Sequence, residues 1–244
     1  MASLQNMPKI VLDTALLTEW GVTWNGTQSS SSKPKKAKCF DKKQGMDFCK
    51  GVIDAVVAKS LATMLGNVPI ETPSSKNLLP PKSNCIEIGE VRIIGGVRSQ
   101  NFDVAYRPDG VRIAYDSKTL NDAKSIAKNW QNMINDLATE ATTVHTRFPY
   151  AIVIFVVVLP KQALKSSQEF DLIRTLERLG TRRSVQDQVH LAEAISFVVW
   201  DTQYGTIDSS SPAVSSHLRL EKLSEIINPI YLERYKGLPP HDKS

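Results

Sequence analysis

The spacing of apolar residues changes several times along the chain, and each change marks an expected element. Within residues 4–24, "VLDTALLTEWGVTW" predicts a short helix ending near Gly21. From Met46 to Leu65, Phe48, Val52, Val56 and Leu61 recur near helical spacing, with Gly66 near the end of that helix. The stretch "CIEIGEVRIIGGVRSQNFDVAYRPDGVRIAYDSKTL" then reads as three consecutive strands, turning at Gly95-Gly96 and at Pro108-Asp109-Gly110. Asn121 or Asp122 is suited to cap the next helix, whose apolar stripe is Ile126, Trp130, Ile134 and Leu137. The run "YAIVIFVVVLP" is β-branched and ends at Pro160, so it predicts a strand at 151–158 buried on both faces. A helix near 168–179, a strand at 195–201 and a helix around 215–227 complete the pattern. Helix, three strands, helix, strand is the order of a mixed α/β fold, and no repeat or break in composition divides the chain.

One hairpin carries unusual charge. Asp103 lies in its first arm, and Asp116 and Lys118 lie in its second. Side chains alternate along a strand, so the turn length sets which of these groups meet. A two-residue turn pairs Asp103 with Ala114 and leaves Asp116 diagonal, whereas a four-residue turn sets the two aspartates opposite one another. A three-residue turn would split them unless a bulge restored the phase. Two carboxylates held this close repel unless a cation lies between them. A site of one or two carboxylates plus water suits Mg²⁺ bound together with a phosphate, and a neighbouring lysine can hold or activate a water there. The chemistry implied is phosphodiester hydrolysis.

The bare pattern acid-any-Lys occurs at Asp41-Lys42-Lys43, Asp116-Ser117-Lys118 and Asp122-Ala123-Lys124. The first falls in a basic stretch and the third at a helix start. Only the middle one ends a hairpin strand whose partner strand supplies a second acid. On the strength of that context, residues 46–160 resemble the PD-(D/E)XK nuclease superfamily, most like a type II restriction endonuclease. The resemblance lies in the αβββαβ order and in Asp103 followed by Asp116-Ser117-Lys118. It implies a restriction-endonuclease-like core with a mixed central sheet flanked by helices. Asp103 and Asp116 would bind Mg²⁺, Lys118 would position the attacking water, and Glu90 or Glu87 would supply an upstream acid. Three features depart from the family pattern. Asp103 follows Phe102 instead of proline, the Pro108-Asp109 pair stands too near Asp116 to be the motif acid, and the second acid is Asp where Glu is commoner.

Composition narrows the partners. The 244 residues carry a net charge of +5, which is compatible with a polyanionic ligand. Residues 28–45 read as a basic flexible loop in which Lys35, Lys36 and Lys38 could touch phosphates. Residues 161–244 are expected to supply recognition and accessory elements around a single nuclease domain. Arg178, Arg182, Arg183 and Gln186 are the candidate base readers, since Arg suits guanine and Gln adenine. Three cysteines without metal-ligand spacing fit neither a zinc site nor a disulfide framework and suit a reducing compartment. No secretory leader is read at the start, and the longest apolar run is too short to span a bilayer. The expectation is therefore a cytoplasmic, Mg²⁺-dependent, sequence-specific double-stranded DNA endonuclease. It would act as a homodimer, with no organic cofactor and no membrane contact. The alternatives are a repair or defence nuclease directed by DNA structure or modification, and an inactive DNA-binding protein with the same core.

Overall fold

The computed structural model describes residues 3–26, 39–74, 78–120 and 122–241. The stretch containing Lys33, Lys35, Lys36 and Lys38 lies outside them. Helix α1 spans Thr14–Gly26. Helix α2, Lys42–Phe48, runs through a π-helical turn at Cys49–Asp54 into α3, Ala55–Met64. Lys42 and Lys43, expected in the basic loop, are therefore helical. The reason is local: Asp41 accepts from Gln44 N at 2.8 Å while its own N–H donates to Gln44 Oε1 at 2.9 Å, closing a capping box.

The strands are β1 (Ile70–Glu71), β2 (Ile86–Ile94), β3 (Ser99–Tyr106), β4 (Ile113–Thr119), β5 (Ile152–Pro160), β6 (Ala194–Asp201) and β7 (Thr206–Ile207). They form one seven-stranded sheet in chain order. β2, β3 and β4 are an antiparallel meander, and β4, β5 and β6 are parallel. The parallel steps need crossovers, supplied by α4 (Ala123–His145) and α5 (Ser166–Leu179). Every residue of β5 is buried, as its unbroken apolar run requires. The result is an α/β fold with a mixed sheet flanked by helices.

The last helix, α6, spans Leu223–Tyr235 and passes through Pro229. It lies later than the 215–227 helix expected from the sequence. Upstream of it, the Arg219 guanidinium donates to the carbonyls of Asp208, Ser209 and Pro212, which holds that segment as loop. Trp20, Phe40, Phe48 and Trp200 stack or meet edge-on and join α1 and α2 to β6. No helix among the described residues is long and apolar enough to cross a membrane.

Candidate active site

The β3–β4 register resolves the choice of turn. Tyr106 pairs with Ile113, Ala105 with Ala114 and Val104 with Tyr115. Residues 107–112 form the connection, in the same phase as the four-residue alternative, so the next step of the register sets Asp103 against Asp116. There the two strands part. Asp103 Oδ2 accepts from both the backbone N–H and the hydroxyl of Ser117, each at 2.9 Å, and so takes over where the ladder ends. Asp116 is buried and ion-paired with Lys118. Burial, and then the Asp103 charge, hold the Asp116 carboxyl well above the usual carboxylate range.

Two acids outside the hairpin join this group, and the sequence reading had singled out neither. Glu140, on α4, is only 3% exposed; its Oε1 accepts from Lys118 Nζ at 2.9 Å and from Gln100 Nε2 at 3.0 Å. Burial raises its pKa against the pull of Lys118. Its position did carry a signal: Ile126, Met133, Leu137, Glu140 and Val144 fall on the buried stripe of α4, and an acid on such a stripe needs a partner. Asp54 closes the π-helical turn, buried, with Oδ1 accepting from Tyr115 Oη at 3.1 Å. Burial and the Asp103 charge push its pKa up to about 7 against the Ser117 and Tyr115 hydroxyls and Lys50. Nothing in the sequence marks that extra residue per turn, although π-bulges often accompany functional sites.

Lys118 is an ammonium in this setting. Burial disfavours its charge, but Asp116 and Glu140 outweigh burial and raise its pKa above the ordinary lysine value. It can donate hydrogen bonds but is not poised to accept a proton.

Two clefts lie on this part of the molecule, and the smaller one reaches the group. One of about 1180 Å³ is lined in part by Lys50, Glu90, Arg92, Ser99 and Asn101. A smaller one, about 370 Å³, brings Lys42, Ser117, Lys118 and Asn129 together. Glu90 stands exposed at the β2 bulge, where Gly89 has φ +130°, and faces the larger cleft. It lies outside the hydrogen-bonded group around Asp103 and Asp116. Glu87 is not available as the upstream acid: it is fully buried, and both its oxygens are held by Arg107 at 2.6 and 2.7 Å.

One of the base-reading candidates needs correction. Arg182 is 0% exposed and bound to Glu193 at 2.7 Å, to Pro149 O and to Val185 O, so its guanidinium is spent inside the protein. Arg183 donates to the carbonyls of Arg182 and Glu193. Arg178, Arg183 and Gln186 are exposed. The loop that carries Arg182, Arg183 and Gln186 precedes β6 and meets β5 at Val153, level with the start of β4. Asp116 and Lys118 lie two to four residues further along, about 7–13 Å at strand spacing.

Among the described residues, no set of three or more His, Cys, Asp or Glu side chains is gathered to hold a metal ion. Asp103 and Asp116 offer two carboxylates. No family profile, curated protein or solved structure matches the chain.

Proposed function

We propose that the chain is a Mg²⁺-dependent endonuclease that hydrolyses phosphodiester bonds in double-stranded DNA at specific sites, in the manner of a type II restriction enzyme with a PD-(D/E)XK core. The observation that carries the reading is the meeting of Asp103, Asp116 and Lys118 where β3 and β4 part, within the order α3, β2, β3, β4, α4, β5. The net charge of +5 and the Lys42 and Lys50 side chains beside the site favour a polyanion.

The donor set fits Mg²⁺, which keeps several waters and uses one or two carboxylates together with phosphate oxygens. Burial and then the Asp103 charge raise the Asp116 pKa, and a cation held by the two carboxylates would offset that repulsion. Asp103 and Asp116 would hold the ion. Once bound, it supplies charge stabilisation at the phosphate and a more acidic water. The protein's own part is to position. Ser117 fixes the Asp103 carboxylate through two hydrogen bonds. Lys118, kept charged, donates to the attacking water or to a phosphate oxygen as negative charge develops.

A second reading draws on one observation: Lys118 already neutralises Asp116, as it would in an inactive DNA-binding core. Cleavage separates the two. Unmethylated phage DNA incubated with wild type and Mg²⁺ should give discrete bands, and EDTA should abolish them. Asp116→Ala and Lys118→Ala should each lower the rate by at least about 100-fold. Undiminished cleavage by both variants would exclude this site. No cleavage by wild type with any divalent metal, on duplex, branched or modified DNA, would leave the inactive core.

A further inference from the structure

We propose that Glu140 is a positioning residue that keeps hold of the Lys118 ammonium while Asp116 exchanges Lys118 for a divalent cation. The inference rests on the nuclease reading of this same site.

Lys118 Nζ is shared between two carboxylates, Asp116 on its own strand and Glu140 on α4. Were Asp116 its sole partner, a cation arriving at Asp116 would leave a largely buried ammonium with no counter-charge. Removing one partner of a buried pair carries a large penalty. With Glu140 in place the ammonium stays paired throughout, so the exchange at Asp116 costs less and Lys118 remains beside the reacting phosphate.

The mounting of Glu140 supports that role. Gln100 on β3 donates to the same oxygen that Lys118 uses, which fixes the carboxylate on the Lys118 side. The other oxygen, Oε2, is buried without a donor to it, so Lys118 and Gln100 are the two groups that hold this carboxylate. Gln100 also lies on the same strand as Asp103, three residues away, so one strand sets both the cation ligand and the support of the lysine.

Under this proposal Glu140 acts on cation binding through Lys118, and a double-mutant cycle isolates that coupling. Mn²⁺ binding to the whole chain without DNA would be followed by electron paramagnetic resonance. The proteins are wild type, Glu140→Gln, Lys118→Met and the double variant. With Lys118 present, Glu140→Gln should weaken Mn²⁺ binding about tenfold, because the released ammonium now competes for Asp116 alone. In the Lys118→Met background the same change should weaken it less than about threefold. Gln100→Ala, which loosens Glu140 without removing it, should shift binding in the same direction by a smaller factor. Equal losses in both backgrounds, or no loss at all, would overturn the proposal. Should Glu140→Gln fail to fold by circular dichroism, an unchanged affinity in Gln100→Ala would overturn it instead. Mn²⁺ binding that is absent from wild type, or indifferent to Asp103→Asn and Asp116→Asn, would remove the nuclease reading itself.

Discussion

Asp54 is a carboxyl placed where its charge is unwelcome. Burial and the nearby Asp103 charge push its pKa from 3.8 up to about 7, although two hydroxyls and Lys50 pull the other way. Between those two values the folded chain binds this proton and the unfolded chain does not, so stability falls as pH rises across that window. Metal-free protein should therefore be less stable to urea at pH 8 than at pH 5. Asp54→Asn should flatten that decline by about 2–4 kcal/mol, leaving the share that Asp116 contributes in the same direction. Identical pH slopes in wild type and variant would show that Asp54 ionises freely in the fold. The same residue-scale reasoning bears on Lys118, which two carboxylates keep as a hydrogen-bond donor.

At the scale of elements, the β2–β3 hairpin and α4 are locked together at Gly95-Gly96. The sequence marks these residues as a turn, but the structure adds a second reason for them. Gly96 N–H donates to Thr143 O at 2.8 Å, and a Cβ on Gly95 would stand 2.3 Å from both Thr143 Cγ2 and Thr143 O. One helical turn before Thr143, Glu140 meets Gln100, so this close approach sets the distance across which the acid reaches the strand. Gly95→Ala should lower stability by about 2 kcal/mol or more, and the carbonyl contact means that trimming Thr143 to Ala will not restore it. Thermal unfolding measures both; an unchanged midpoint would mean that the hairpin does not depend on this contact. The β-meander and its turns were legible because period-two alternation and Pro-Asp-Gly are local signals. The π-helical turn was not, since no residue type within 49–54 marks where a helix takes in one extra residue.

Across the whole molecule, the end of the sheet away from the candidate site is tied by one buried acid. Glu193 accepts from His145 on α4 at 3.1 Å, Val153 N on β5 at 2.8 Å, Arg182 at 2.7 Å and Arg234 on α6 at 2.8 Å. Burial alone would raise its pKa, but His145, Arg234 and the Val153 N–H hold it below the ordinary carboxylate value. Its contribution is thus present above the ordinary value and is lost as pH falls through the lowered one, opposite in sign to Asp54. Stability should therefore decline on both sides of a maximum. Glu193→Gln should cost about 3–5 kcal/mol in urea unfolding, because it leaves two buried guanidiniums without a carboxylate. A loss under about 1 kcal/mol would show that the arginines find other partners. This network also explains why Arg182 misled: a sequence cannot distinguish an arginine that faces solvent from one that closes a core.

The chain's own pattern determined the α/β class, the meander, the buried β5 and the placing of Asp103 in one hairpin arm with Asp116 and Lys118 in the other, because all of these follow from spacing within short segments. Tertiary structure alone decided the rest. It set the phase of the six-residue connection and brought Glu140 from 22 positions beyond Lys118 to its ammonium. It turned Asp54 toward Tyr115, and it withdrew Glu87 and Arg182 into ion pairs with Arg107 and Glu193. Each of these depends on the low dielectric and close packing of the folded interior, where a charge must find a partner from whichever element lies opposite.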